Sequence, residues 1–170
     1  PMLAGQDGLR LSLAGAQDKL PVVFDGERIG LPRSGTASSH ILKPAIHAVE
    51  DSVINEGFCM ALAELMELKP AKSKIHLVLD RTFLLVERYD RLIDAQGHRR
   101  RLHQEDFCQA LGCSPQQKYE ADGGPGVERL AQVLSGSQNV RTDLRTLVAS
   151  RRWRGGTPCS WLFTWTSRSA

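Results

Sequence analysis

Between residues 54 and 68 the chain repeats apolar residues at the spacing of one helix face: Ile54, Phe58, Ala61, Leu62, Leu65 and Leu68. Glu50, Glu56, Glu64 and Glu67 lie mostly off that stripe. Lys69-Pro70 ends the pattern, because proline lacks the amide donor and disfavours helical backbone just before it. This long helix is flanked on both sides by short apolar runs punctuated by turn residues. The order is a strand-rich half containing one long helix, followed by an all-helical half, which gives an α+β class.

The strands are expected as follows. Leu11-Ser12-Leu13 and Lys19 to Phe24 flank the small-residue segment Ala14-Gly15-Ala16-Gln17-Asp18. Asp25-Gly26 predicts a tight type I′ hairpin turn to a partner strand at Glu27 to Leu31. His40-Ile41-Leu42-Lys43 is a short strand closed by Pro44, and Ile75 to Leu79 with Thr82 to Val86 forms a hairpin about Asp80-Arg81. Asp94 to Gly97 is a further turn, with Arg99-Arg100-Arg101 beyond it. From Glu105 the pattern turns helical. Phe107 and Leu111 fall one turn apart before Gly112. A second helix, entered through Pro125, carries Val127, Leu130, Ala131 and Leu134 on one face, and a last one begins near Thr142.

Charge divides the chain unevenly. The 170 residues carry a net charge of +3, from 22 Lys and Arg against 19 Asp and Glu. Four arginines (Arg151, Arg152, Arg154 and Arg168) and no acid lie beyond residue 148, so residues 1–148 are at −1. All three tryptophans, Trp153, Trp161 and Trp165, fall in that same tail. A basic, tryptophan-bearing arm suits a nucleic-acid backbone and its bases. The abrupt change of composition also suits a stretch unrelated to what precedes it, such as a shifted reading frame. Cys59, Cys108, Cys113 and Cys159 form no Cys-x-x-Cys pair, and the five histidines show no metal-ligand spacing. The longest apolar run, Phe58 to Ala63, is far below the ~20 residues that span a bilayer. With no signal-peptide pattern, the expectation is a cytoplasmic chain. Pro1 before Met2 points to a start inside a larger protein.

Three segments suggest chemistry. Ser12 to Lys19 places small residues between two strands, where backbone N–H groups can approach a phosphate. A simple turn would look the same. Lys43 ends a strand about 30 residues later and precedes a helix with an acid, Glu56, in its first turns. That is the arrangement by which protein kinases hold nucleotide phosphates with a lysine and hold the lysine with a glutamate. A surface lysine at a strand end is the alternative. Val86-Glu87-Arg88-Tyr89-Asp90-Arg91 then occupies the place of a kinase hinge, where backbone groups meet the adenine edge and position matters more than side-chain identity; a solvated, charged strand end is the alternative. Together these follow the order of a kinase small lobe entering a large lobe.

Residues 9 to about 147 resemble the HipA family of bacterial toxin kinases. Ser12-Leu13-Ala14-Gly15-Ala16-Gln17-Asp18-Lys19 is similar to its phosphate loop, His40-Ile41-Leu42-Lys43-Pro44 to its ATP-lysine strand, and Asn55-Glu56 to the opening of its helix. Val86 to Arg91 is similar to its hinge. The most specific match is His103-Gln104-Glu105-Asp106-Phe107-Cys108-Gln109-Ala110-Leu111-Gly112, followed by Lys118 to Gly126. The resemblance implies a kinase-like fold with a strand-rich small lobe over residues 1–91 and an incomplete helical large lobe from residue 92 to residue 148. The tail, 149–170, lies outside it. It also implies a serine/threonine kinase that uses ATP and Mg2+ and phosphorylates a protein of the translation machinery, such as an aminoacyl-tRNA synthetase. A helix-turn-helix antitoxin is the implied partner, with DNA reached only through it and no membrane. Ala14, Gly15, Ala16, Gln17 and Lys43 would hold the nucleotide, Glu87 and Tyr89 would meet adenine through their backbone, and Glu56 would pair with Lys43. Ser12 stands where the family has an autophosphorylated serine; a phosphate there would add nearly two negative charges beside ATP.

Phosphoryl transfer needs more: a catalytic aspartate, a metal-binding asparagine and a second metal-binding aspartate. In this family they follow the helix that begins near Thr142, and no His-Gly-Lys-Asn-like segment occurs here. Asp106-Phe107-Cys108 resembles a kinase Asp-Phe-Gly triplet only superficially, since it lies in a helical pattern, so no metal ligand is assigned. The expectation is therefore a fragment inactive by itself. The alternatives are half of a split kinase or a non-catalytic module that binds the antitoxin.

Overall fold

The computed structural model describes residues 18–33, 35–114, 117, 120, 123–152 and 164–165. The chain divides into two compact units, Pro1–Arg101 and Leu102–Ala170. The predicted strand at residues 11–13 and the small-residue segment at 14–17 lie outside the described residues.

The first unit is built on a five-stranded antiparallel sheet in the order β2-β1-β3-β5-β4. Its strands are β1 (Leu20–Phe24), β2 (Ile29–Gly30), β3 (His40–Pro44), β4 (Ser73–Val78) and β5 (Arg81–Glu87). β3 is central and pairs with β5 from His40 opposite Glu87 to Pro44 opposite Phe83. One helix, α1 (Ser52–Leu65), packs on β4 and β5 over a core of Val53, Leu84 and Val86, with Met60 and Ala71 against it. A short ribbon, β6 (Arg91–Ile93) with β7 (Arg99–Arg101), completes the unit.

The helix buries a different face from the one its spacing predicts. Ile54, Phe58, Ala61 and Leu65 are exposed, Phe58 by 62% and Leu65 by 81%, while Leu62 and Leu68 are half-buried. Val53 and Met60 pack with Leu84 and Val86 of the sheet, Gly57 lies against Ile75, and Ala63 is buried, a narrower and smaller set. The reason is distance: a Cβ on Gly57 would sit 2.7 Å from Ile75 Cδ1, so the helix lies too close to β4 for bulky residues there. The end of α1 also differs from the expected Lys69-Pro70. Leu68 N–H donates to Ala63 C=O and Glu67 N–H to Glu64 C=O, with Glu67 at a φ of 59°. That is a Schellman motif with glutamate in the left-handed position usually given to glycine.

Two turns shift relative to expectation. β4 and β5 join through Leu79-Asp80, both at positive φ (47° and 60°), one residue earlier than Asp80-Arg81. β1 and β2 join through residues 25–28 rather than a two-residue turn, because the Asp25 carboxylate accepts from Glu27 N–H and Arg28 N–H and only Gly26 takes positive φ. The 94–97 turn forms as expected, with Asp94 Oδ1 accepting from Gln96 N–H and His98 N–H.

The second unit is not purely helical. Glu105–Asp106 forms β8, paired with β9 (Thr164–Trp165), and only then does α2 (Phe107–Ala110) begin. α3 (Val127–Leu134) presents the predicted face. Val127, Leu130, Ala131 and Leu134 join Phe107, Val133, Leu144 and Leu147 in one apolar cluster. α4 (Val140–Arg152) starts close to Thr142 and continues past residue 149. Among the described residues no helix is long and apolar enough to cross a membrane.

Candidate functional site

Alternation along β3 determines what faces α1. Ile41 and Lys43 point to the same side as their register partners Val86 and Leu84, the side on which α1 packs. Lys43 is therefore carried into an apolar layer and is 1% exposed. An ammonium there demands a partner, since an isolated buried charge is strongly unfavourable. Glu56, one turn into α1, supplies it: Lys43 Nζ donates to Glu56 Oε1. The start of the helix is fixed nearby by Ser52 Oγ, which accepts from Ile46 N–H at 2.8 Å.

At the other end of β3 the chain is bound to the segment after β5. Glu87 N–H donates to Lys72 C=O and Arg88 N–H to Ser39 C=O. The side chains of that segment form a buried network. Arg88 grips Asp90 with two bonds, Nε to Oδ1 at 2.9 Å and Nη2 to Oδ2 at 2.7 Å. Arg91 Nη1 adds a third at 2.7 Å. Arg91 Nε then donates to Ser38 C=O at 2.7 Å, and Nη2 reaches Ser38 Oγ at 3.3 Å. Burial pushes the Asp90 carboxyl up, but the bonds and charges of Arg88 and Arg91 outweigh it and hold the group below its ordinary 3.8.

The structure thus brings Lys43 and Glu56 together and sets Glu87 and Tyr89 at the end of β5, with Tyr89 exposed. Ser12, Ala14, Gly15, Ala16 and Gln17 lie outside the described residues. Asp106 is engaged as the cap of α2: it accepts from Gln109 N–H, while Gln109 Oε1 accepts from Asp106 N–H. Among the described residues no group of three or more His, Cys, Asp or Glu side chains is placed to hold a metal ion. What sequence reasoning missed is the Arg88-Asp90-Arg91 network. Neither a hinge that acts through its backbone nor a solvated strand end calls for buried side chains here. The available signal was two arginines flanking one aspartate directly after an apolar strand.

The family model for the HipA-like C-terminal domain matches residues 11–151. The chain belongs to this family. It is 53% identical over 134 residues to the protein named "Putative kinase Y4mE" of Sinorhizobium fredii (strain NBRC 101917 / NGR234), covering 79% of this chain and 32% of that protein. It is 37% identical over 119 residues to the serine/threonine-protein kinase toxin HipA of Shewanella oneidensis, covering 69% of this chain and 27% of that one. Among solved structures it resembles a chain of the Shewanella oneidensis MR-1 complex of HipA, HipB and operator DNA. The TM-score is 0.68 at 29% identity, over 89% of this chain and 38% of that chain. The mixed α/β architecture with its curled antiparallel sheet is thus that of a HipA-like protein. The chain spans about a third of the length of the relatives it matches.

Proposed function

We propose that this chain is the nucleotide-holding part of a HipA-like serine/threonine kinase and binds ATP between the β3 lysine and the segment after β5. The buried Lys43–Glu56 pair carries this reading. A lysine held at 1% exposure by a helix glutamate is costly as a purely structural device. As a phosphate ligand it has a use: the glutamate fixes the ammonium, which then meets the nucleotide phosphates. Backbone groups of Glu87 and Tyr89 would meet adenine, and Ala14 to Gln17 would lie along the phosphates, with Ser12 beside them as the site of self-phosphorylation. The donor chemistry of Lys43 fits ATP. The described residues offer Mg2+ no ligand set of their own.

As part of a toxin kinase, the protein would act on a component of the translation machinery and be restrained by a helix-turn-helix antitoxin, touching DNA only through it, in the cytoplasm. The 170-residue chain would bind ATP and transfer no phosphate by itself. Titration with ATP tests the first statement. Binding should weaken at least tenfold in Lys43→Met/Glu56→Gln, which removes both charges together; equal affinity would sink the assignment. Clear incorporation of labelled γ-phosphate into the chain or into a synthetase would sink the second.

A second reading is favoured by the solved complex, which contains HipB and operator DNA beside HipA. The chain would then be a non-catalytic module that binds an antitoxin. Antitoxin capture by the chain with no measurable ATP binding would select it.

A further inference from the structure

The Arg88-Asp90-Arg91 network is more elaborate than a strand end requires. Asp90 is 4% exposed, and the side chains of Arg88 and Arg91 are nearly as buried. Two guanidinium groups around one carboxylate leave a buried excess of positive charge, a costly arrangement unless its geometry does something. Its bonds lead to one place. Arg91 takes both the carbonyl and the hydroxyl of Ser38. Arg88 N–H takes the carbonyl of Ser39. Ser39 in turn accepts from Phe24 N–H through its hydroxyl at 2.8 Å, and its own N–H donates to Val22 C=O. Arg99 Nη1 donates to Ala37 C=O at 3.4 Å. Residues 37–39, which precede β3, are thereby fixed to β1 on one side and to the segment after β5 on the other.

We propose that Asp90, acting through Arg88 and Arg91, is a positioning residue that sets the backbone at Glu87–Tyr89 relative to β3, and so governs recognition of the adenine edge rather than of the phosphates. This deepens the ATP-binding reading and rests on it. Backbone recognition of a base edge tolerates little displacement, because hydrogen bonds weaken steeply outside about 2.7–3.2 Å and below ~120°. Phosphate recognition by Lys43 depends on Glu56 and α1 instead. The two halves of one site are therefore held by separate anchors, and substitutions should separate them.

The experiment measures affinity of the 170-residue chain for ATP, GTP and inorganic tripolyphosphate. The variants are Asp90→Asn, which keeps shape and loses charge, and Arg91→Lys, which keeps charge and loses the fork on Ser38. Thermal melts follow folding. The expected result is at least tenfold weaker ATP binding and an ATP:GTP preference that falls toward one, with tripolyphosphate affinity within twofold of the parent. Lys43→Met/Glu56→Gln should do the reverse, losing tripolyphosphate and ATP together. An unchanged ATP:GTP ratio in folded Asp90→Asn and Arg91→Lys overturns the positioning role while leaving the nucleotide site standing. Loss of cooperative melting in both variants assigns the network to stability alone and overturns the role as well. A parent chain that binds no ATP overturns the nucleotide reading and this role with it.

Discussion

Lys43 and Glu56 stand thirteen residues apart on different elements, and the lysine ammonium ends on the glutamate carboxylate under the cover of α1. Removing one partner takes the opposite charge from beside the other, whereas removing both takes the two charges away together. Breaking such a pair typically costs about 3–5 kcal/mol, and apolar replacement of both members is often near neutral. Lys43→Met is therefore expected to lower unfolding free energy by about 3 kcal/mol, and Glu56→Leu added to it should recover most of that loss. Urea unfolding of the parent, both single variants and the double variant checks it. Additive losses would mean that the two side chains do not interact.

The outward face of α1 gives the second prediction. Phe58 is the larger residue and belongs to the apolar stripe of the sequence, but it is exposed; Val53 is smaller and buried. Phe58→Gln should change stability by less than about 0.5 kcal/mol, as exposed substitutions do. Val53→Ala should cost roughly 1–2 kcal/mol through lost contact with Leu84 and Val86. The ranking, read by denaturant midpoints, is the test, and a larger loss at Phe58 would restore the face that periodicity predicts.

That contrast shows how much of the fold was legible. The helix itself, β3, the hairpin into β5 and the α3 face of Val127, Leu130, Ala131 and Leu134 follow from spacing and turn residues. The buried face of α1 does not, because periodicity ranks faces by the size of their side chains. Close packing on β4 selected the face with Gly57 and Ala63. Of the site, the pairing of Lys43 with Glu56 is legible only through the kinase order of strand lysine and helix glutamate, since the spacing of the two residues leaves a surface lysine equally open. The Arg88-Asp90-Arg91 network does not, since its partner Ser38 lies 53 residues from Arg91 and no local pattern joins them.

Gly57 supplies a third prediction. Alanine there gains roughly 1 kcal/mol of helix propensity, but its Cβ would meet Ile75 Cδ1 at 2.7 Å and Cγ1 at 3.0 Å. In the parent chain the two effects oppose, and Gly57→Ala should be destabilising by up to about 1 kcal/mol. Ile75→Val removes the Cδ1 methyl. In that background Gly57→Ala should become stabilising by about 0.5 kcal/mol. A double-mutant cycle by urea unfolding reads the coupling; a cycle that closes at zero would show that Ile75 does not limit the approach of α1.

His40 sets the fourth, on pH. It lies opposite Glu87 in the β3–β5 register, with its ring T-shaped to that of Phe24 at 5.3 Å between centroids and its Nδ1 2.8 Å from Ser39 Oγ. Burial holds its imidazole below the ordinary 6.5; Glu87 works against this, and Arg99 adds to it. Over the interval between the folded value and 6.5, the unfolded chain binds a proton that the folded chain refuses. Stability therefore rises with pH there: the contribution is complete above about 6.5 and is lost as pH falls through the folded value. Asp90, also lowered, adds a separate loss only below its ordinary 3.8. The urea midpoint should accordingly fall between pH 7 and pH 5.5. His40→Asn, which cannot titrate and still offers Ser39 a polar partner, should show a flatter profile over the same range. Parallel profiles for the two proteins would assign the acid sensitivity to a group other than His40.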